Sequence, residues 1–447
     1  MPDLIKIGQR IADMAFGGEE IEAYAIWERE TSIRVYNSEI ESLTTSESSG
    51  IGIRVIRDKR VGISYAGTLE DDDLKRALEE ARDNSRFASQ DPFAGIAEPD
   101  GVDGPKLNLW SVDITNTPTE NKISLALELE KVTLSKDRRI KSLNSSNYGD
   151  VSVESAIVNS KGIASYTQQT YCWLWAYALA MQDDETQTGF GLHASRDFAG
   201  IDLEYAAQEA AYKSTRMLGA KKPKSSNLIA VFEPDISSSF IGIISSTLSA
   251  EAVQKGRSIF SGRVGENVAN SRLNLIDDPS DPRFFSSAKY DDEGLASRQN
   301  LLIKNGSLKG YLYDSYTARK EGVAPTGSAI RGGIAGSCSP GPRAPYIEPG
   351  ERSKEEIVSE ITDGVLIQSV SGIHSGVNPV SGDFSVGAEG IRIHDGELKE
   401  PIKEFTIASN LQKMLLDIRS IGSDLTIRPS GAAGVTLAIG NINLSGS

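Results

Sequence analysis

The segments KNGS (304–307) and HDGE (394–397) constrain this chain more than any other feature. Asn-Gly and Asp-Gly between β-branched runs favour the left-handed two-residue turn that matches the twist of paired strands. They predict hairpins in "LLIKNGSLKGYLYD" and "GAEGIRIHDGELKEPI". A third is predicted in "GIGIRVIRDKRVGISYAG", where two alternating runs flank Asp58 and Lys59. "IEAYAIWERE" and "TSIRVYNSEI" read as two paired strands, and four more centre near residues 155, 165, 176 and 190. Helices are predicted in "LEDDDLKRALEEARDNSRFA", started by Thr68 and Asp71, over 119–137, and in "DLEYAAQEAAYKSTRMLGA", capped by Gly219. "SKEEIVSEITDGV" and "NLQKMLLDIRSIG" read as two more. The 447 residues exceed one hydrophobic core, and "KKPKSS" (221–226) reads as a seam. The expectation is an α+β protein: an N-terminal domain of mixed sheet and helix over 1–220, and a mainly antiparallel β domain over 225–447.

A net charge of −15, with no basic run longer than "RDKR" or "KKPK", argues against direct nucleic-acid binding. The longest apolar run, "WLWAYALAM" (173–181), is too short to cross a bilayer as a helix. The N-terminus reads as an amphipathic helix carrying Asp3, Lys6, Arg10 and Asp13, so a cytoplasmic location is expected. The two cysteines form no metal knuckle. Cys172 reads as a buried thiol and Cys338 as a loop thiol open to solvent, both inert.

The histidines offer no ligand spacing. His193 ends a strand, His374 lies in a glycine-rich loop, and His394 adjoins a hairpin turn. "EDDD" (70–73) suits a helix N-terminus, and "DDEG" (291–294) reads as a turn that needs no acid/base pair. No nucleophile elbow, P-loop or dinucleotide fingerprint is present. After the strand "NLIAVFEP", Asp235 is expected to cap a helix that runs on through Glu251. Ile236, Phe240, Ile244, Leu248 and Ala252 would form its buried face.

That helix leads into "KGRSIFSGRVGE", which resembles the TldD/PmbA family, the "modulators of DNA gyrase". The likeness continues in order through "DDEG", "LIKNGSLKGYLYDSYTARKEG", "PTGSA", "GVNPVSGDFSVGAEGIRIHDGELKEPI" and "ASNLQKMLLDIRSIGSDL", and includes "ESSGIGIRVIRDKRVGISYAG" near the start. "GVNPVSGDFS" is similar to the PmbA (TldE) branch. In the TldD branch the helix carries HExxxH: two histidines bind a metal, the glutamate polarises the attacking water, and a C-terminal cysteine is the third ligand. Counting back from Lys255-Gly256 puts Ile241, Gly242 and Ser246 at the His, Glu and His positions. "GSDLTIRPSGAAGVTLAIGN" has no cysteine and looks shortened where the third ligand would stand.

The resemblance implies a non-catalytic subunit with no metal of its own. Its partner would be a zinc-bearing TldD-type subunit, in a cytosolic heterodimer that cleaves unfolded or leader peptides; whether the chain alone forms a homodimer stays open at the level of sequence. Two other readings remain open. One is an independent metal-dependent peptidase using His193, His374 or His394. The other is a regulatory protein that binds gyrase without touching DNA.

Overall fold

The computed structural model describes residues 2–429 and 431–447. Strand alternation builds the first half around one antiparallel sheet. Its strands are β1 (Glu20–Tyr36), β2 (Glu39–Arg57), β3 (Arg60–Ala66), β4 (Ile140–Asn159), β5 (Ala164–Gln182) and β6 (Glu185–Ser195), in the order β3-β2-β1-β4-β5-β6. Helices α1 (Leu4–Ala12), α2 (Asp71–Phe87), α4 (Thr119–Lys136) and α5 (Leu203–Thr215) pack on it, with α3 (Val112–Asn116) a single turn between. The face of β1 carrying Ile21, Ala23, Ala25 and Trp27 is buried against α1 and α2. Cys172, Leu174, Ala176 and Ala178 of β5 are buried in the core that includes α4 and α5.

Several boundaries differ from the sequence reading. The two strands expected before residue 40 are one strand, β1, which turns at Asn37 and Ser38 into β2. The strands expected near 165 and 176 are also one, β5. Long neighbours on both sides keep these strands extended, and single polar residues do not end them. Thr68 does not cap α2: its hydroxyl bonds the Asp73 carboxylate, and Glu70 is the N-cap residue without a side-chain bond. Helix α5 stops at Thr215, before Gly219.

The second half is mainly antiparallel sheet. Strand β7 (Ser226–Phe232) precedes α6 (Pro234–Ser246) and α7 (Ala250–Gln254). A small sheet follows, from β8 (Leu275–Asp277), β9 (Asn300–Lys304) and β10 (Ser307–Leu308), then α8 (Ser315–Glu321) and the pair β11 (Ala329–Arg331) and β12 (Cys338–Pro340). Strand β13 (Pro345–Ile347) completes the small sheet, and α9 (Lys354–Ser359) leads to β14 (Asp363–Ser371). The chain closes with α10 (Ile373–Gly376), β15 (Asp383–His394), β16 (Glu397–Asn410), α11 (Leu411–Leu416), β17 (Ile418–Ile421) and β18 (Leu437–Ser445). Strands run β16-β15-β14-β7-β18-β17, and a further β16–β18 pairing closes five of them into a ring. Closure leaves those strands fewer free edges. Only β7 and β14 pair in parallel within it. The three predicted hairpin turns are present: Asp58/Lys59, Asn305/Gly306 and Asp395/Gly396 all have positive φ. The helices expected at "SKEEIVSEITDGV" and "NLQKMLLDIRSIG" shrink to α9 and α11, because β14 and β17 take their second halves.

The halves are docked through backbone as well as side chains. Arg319 of α8 donates to the carbonyls of Phe93 (2.9 Å), Gly95 (2.6 Å) and Ile96 (3.3 Å). The loop after β11 lies on β2, where a Cβ at Gly52 would stand 1.9 Å from the Ile334 carbonyl oxygen. Gly52→Val should therefore push this loop off the sheet and cost about 2 kcal/mol or more. Gly67→Ala, with open space around it, should change stability by no more than about 0.5 kcal/mol. Thermal unfolding of the two variants side by side tests the contact; equal midpoints would refute it.

Candidate functional site

The helix that would bear a metal motif ends earlier than its sequence suggests. Pro234 opens α6 at a position where a missing N–H costs nothing. The helix stops at Ser246, because Ser249 pairs with Leu312 as a β-bridge and pulls the chain out of helical register. Glu251 therefore lies on the separate helix α7, in an exposed ion pair with Lys255 at 2.5 Å. Asp235 is not the cap; Glu233 holds that position, without a side-chain bond. Phe240, Ile244 and Leu248 are buried as expected, whereas Ile236 and Ala252 are only partly so.

The three positions aligned with the motif point apart. Ile241 is 1% exposed and packs among Phe240, Ile244, Leu273, Leu275, Ile347 and Leu415. Gly242 is half-buried, and a Cβ there would meet only the Ala432 methyl, at 3.9 Å. Ser246 is exposed and its hydroxyl donates to the Ile243 carbonyl at 2.7 Å. An apolar core side chain, a hydrogen atom and a hydroxyl bound to backbone do not fit a zinc donor set. The C-terminal segment that would bring a third ligand is clamped on the first turn of α6. There the Ser237 hydroxyl donates to the Val435 carbonyl (2.6 Å) and accepts from its N–H (3.0 Å). Of the quoted stretch, Ser430 lies outside the described residues.

The histidines stay apart. The Nδ1 of His193 accepts from the Asp202 N–H at 3.0 Å, and burial lowers its pKa despite nearby Asp202. His374 is exposed on α10, and His394 is exposed at the end of β15, 3.5 Å from Asp395. Among the described residues no three His, Cys, Asp or Glu side chains are grouped to hold a metal ion.

Sequence reasoning missed two charged clusters. Around the start of α6, Asp235 pairs with Lys213 (2.6 Å) and Arg428 (3.0 Å), and Arg428 also pairs with Glu209 (2.6 Å). Burial opposes ionisation of Asp235, but Lys213 and Arg428 outweigh it and keep its pKa below the usual value. These pairs line a cavity of about 200 Å³ between α5 and α6. The second cluster joins the halves. Glu22 of β1 pairs with Arg54 of β2 (2.7 Å) and Arg331 of β11 (2.6 Å). The turn read at "DDEG" is present, but Asp291 and Glu293 are buried and Asp292 is partly so. Asp291 accepts from the N–H groups of Glu293 (3.0 Å), Leu295 (3.0 Å) and Ala329 (3.1 Å), while burial, then Glu293, pushes it up to about 8. Asp292 pairs with Arg343 at 2.9 Å. Cys338 is not an open loop thiol: its Sγ lies 3.1 Å from the Asp292 carbonyl, and burial raises its pKa although Arg331 opposes this. Glu22 occupies the polar slot of the β1 alternation, so its own segment does not mark it as buried. Beside this cluster a cavity of about 180 Å³ is lined by Tyr24, Ser165, Thr167, Gln169, Asp292 and Arg343.

Comparison with known proteins places this architecture. Models of the PmbA/TldA metallopeptidase match domain 1 at residues 21–85, the central domain at 113–218 and the C-terminal domain at 225–446. The chain belongs to the PmbA/TldD metallopeptidase family. It is 24% identical to Metalloprotease PmbA of Escherichia coli O157:H7, over 91% of this chain and 88% of that one. It is 27% identical to a metalloprotease of Methanothermobacter thermautotrophicus, over 97% and 95%. Among solved structures, a Thermotoga maritima protein designated a modulator of DNA gyrase superposes with TM-score 0.90 at 26% identity, covering 98% and 99% of the two chains. TldE from Thermococcus kodakarensis gives 0.88 at 25%, covering 99% of each. The three domain models leave residues 86–112 and 219–224 between them. Among the described residues no helix is long and apolar enough to cross a membrane.

One further acid of this PmbA/TldD chain is buried in the small sheet of the second half. Asp277, fully buried, accepts from the N–H groups of Arg343 (2.8 Å) and Ala344 (2.7 Å), and burial raises its pKa to about 6. Between the unfolded value near 4 and this folded value, the native state holds a proton that the unfolded state has released. Its contribution to stability is thus full below about pH 4 and lost as pH rises through about 6, at most about 3 kcal/mol. Asp277→Asn should flatten the fall of Tm between pH 4 and 6.5. An unchanged slope would show that Asp277 is ionised in the fold.

Proposed function

We propose that this chain is a TldE-type, non-catalytic subunit of a cytoplasmic metallopeptidase complex that cleaves unfolded or leader peptides. The observation that carries this is the state of α6: the fold around the motif is kept, but its positions hold a core isoleucine, a glycine and a surface serine. The chain holds no zinc of its own. A TldD-type partner with HExxxH supplies the metal and the glutamate that activates water. This chain forms a heterodimer with it, and a homodimer when alone; it binds no nucleic acid and no membrane.

The test is reconstitution. The purified chain should contain far less than one zinc and cleave no unstructured peptide. Mixed with a TldD-type subunit it should yield a peptidase that a chelator abolishes, as does substitution of the partner's motif glutamate. About one tightly held zinc per chain, proteolysis by this chain alone, or full activity of the partner without it would each overturn the proposal. Ser246→Ala and Glu251→Ala should leave the activity of the complex within about twofold and change stability by about 1 kcal/mol or less. A loss of turnover by orders of magnitude in an assembled complex would restore a catalytic role to this helix.

A further inference from the structure

The side chains of β5 alternate between two environments. Cys172, Leu174, Ala176 and Ala178 are buried in the helix-covered core. Tyr171, Trp173, Trp175 and Tyr177 occupy the opposite face and remain partly exposed. Phe190 of β6 joins them, 39% exposed, 5.7 Å from Trp175 and 6.4 Å from Tyr177 between ring centres. The row starts at the seam between the halves, where Tyr171 is 5.6 Å from both Trp173 and Phe285. Trp173 lies across Gly149 of β4: a Cβ there would stand 2.3 Å from the indole. Register places Glu28 and Glu30 of β1 on the same face, opposite Val153 and Val151, which in turn oppose Gln169 and Tyr171. Burial, and then Glu30, raises the pKa of Glu28. Gln169, Thr167 and Ser165 continue the face into the polar cavity at the seam.

We propose that this face is a docking track for an extended polypeptide bearing apolar and basic side chains. From Tyr171 to Tyr177 the track is about 20 Å long, the length of about six extended residues. Phe190 is 39% exposed and the other four rings are less open, so the row offers far less than the roughly 800 Å² per partner of a stable subunit interface and suits a single strand better than a folded subunit. Partly exposed Trp and Tyr side by side supply rigid contact area with polar tips, the composition of binding hot spots. Arg34 lies on the same face, in line with Asn147 and Trp175, but is paired with Glu41 at 2.5 Å; the carboxylates of Glu28 and Glu30 complement lysine or arginine on the bound strand. The inference rests on the reading of this chain as a polypeptide-handling subunit, but its test does not use the catalytic partner. Failure to bind peptide leaves reconstitution untouched, and failure to reconstitute leaves the track untouched.

The full chain should be titrated with a fluorescent, unstructured twelve-residue peptide of Leu, Phe, Ser and Lys, and with its Lys-to-Ser counterpart. The Lys peptide should bind. Trp175→Ala with Tyr177→Ala should weaken it about tenfold or more. Glu28→Gln with Glu30→Gln should weaken the Lys peptide about threefold and leave the Lys-free peptide unchanged. Because the aromatic variant could misfold, a benzophenone-bearing Lys peptide should also be photo-crosslinked to the unsubstituted chain, with adducts expected at residues 171–177 and 190. No binding, adducts confined to other surfaces, or unchanged affinity in variants with native circular dichroism would overturn the track. So would protection of Trp173 and Trp175 from acrylamide quenching by a TldD-type subunit and not by peptide, which would make the face a subunit interface.

Discussion

The two halves of this protein are held in register by a charge that neither could bury alone. Glu22 is 1% exposed and lies between Arg54 from its own sheet and Arg331 from the other half. Dehydrating an ion costs several kcal/mol, and only well-placed partners offset that cost. Here the two guanidiniums outweigh burial and hold the Glu22 pKa below its usual value. If the halves separated, Glu22 would lose Arg331. If they docked out of register, it would be buried with one partner instead of two. The arrangement thus selects a single docked geometry more than it adds net stability. Arg331 extends the constraint by donating to the Gly336 carbonyl (3.0 Å), so the loop lying over Gly52 is ordered by the same cation.

What was legible in the sequence follows from how local each signal is. The turns at Asp58/Lys59, Asn305/Gly306 and Asp395/Gly396 are set by neighbours in the chain, and all three form. Strand ends are not local. Residues 30 and 31 look like a break, yet β1 passes through them because β2 and β4 pair with it on both sides. The helix expected through Glu251 breaks at Thr247 because a residue more than sixty positions away, Leu312, bridges Ser249. Asp235 had the residue type and place of a cap. Lys213 and Arg428, which draw it elsewhere, could not be seen from its own segment.

The same distinction divides the site. That positions 241, 242 and 246 lack ligands is a matter of residue identity, read directly from the chain. That Asp291 and Glu293 of "DDEG" are buried depends on distant contacts such as the Ala329 N–H of β11 on Asp291, which no pattern within four residues records. The aromatic row of β5 stands between these cases. Alternation of large and small residues in "YCWLWAYA" marks one crowded face and one thin face. Only the helix layer shows that the small side chains are the buried ones. A run of apolar residues therefore became a two-faced strand once its neighbours were known.

The residues at positions 241, 242 and 246 also differ in how α6 packs them. Ile241 fills an apolar niche made by Leu273, Leu275, Ile347 and Leu415, so that position now contributes to the core. A histidine there would bury a polar ring among aliphatic side chains that offer it no hydrogen-bond partner, at a cost of about 1–3 kcal/mol. Gly242 is the opposite case, since the space beside it, toward Ala432, would accept a side chain. Ser246 already faces solvent. The three positions are therefore not equally reversible. A Cβ at Gly242 and a larger side chain at exposed Ser246 would meet little resistance, while Ile241 is held by the core. Restoring the side chains one by one would meet that barrier first, and would still lack a third ligand on the segment held against Ser237. The isoleucine at 241 is thus fixed by the packing of this fold as well as by its sequence.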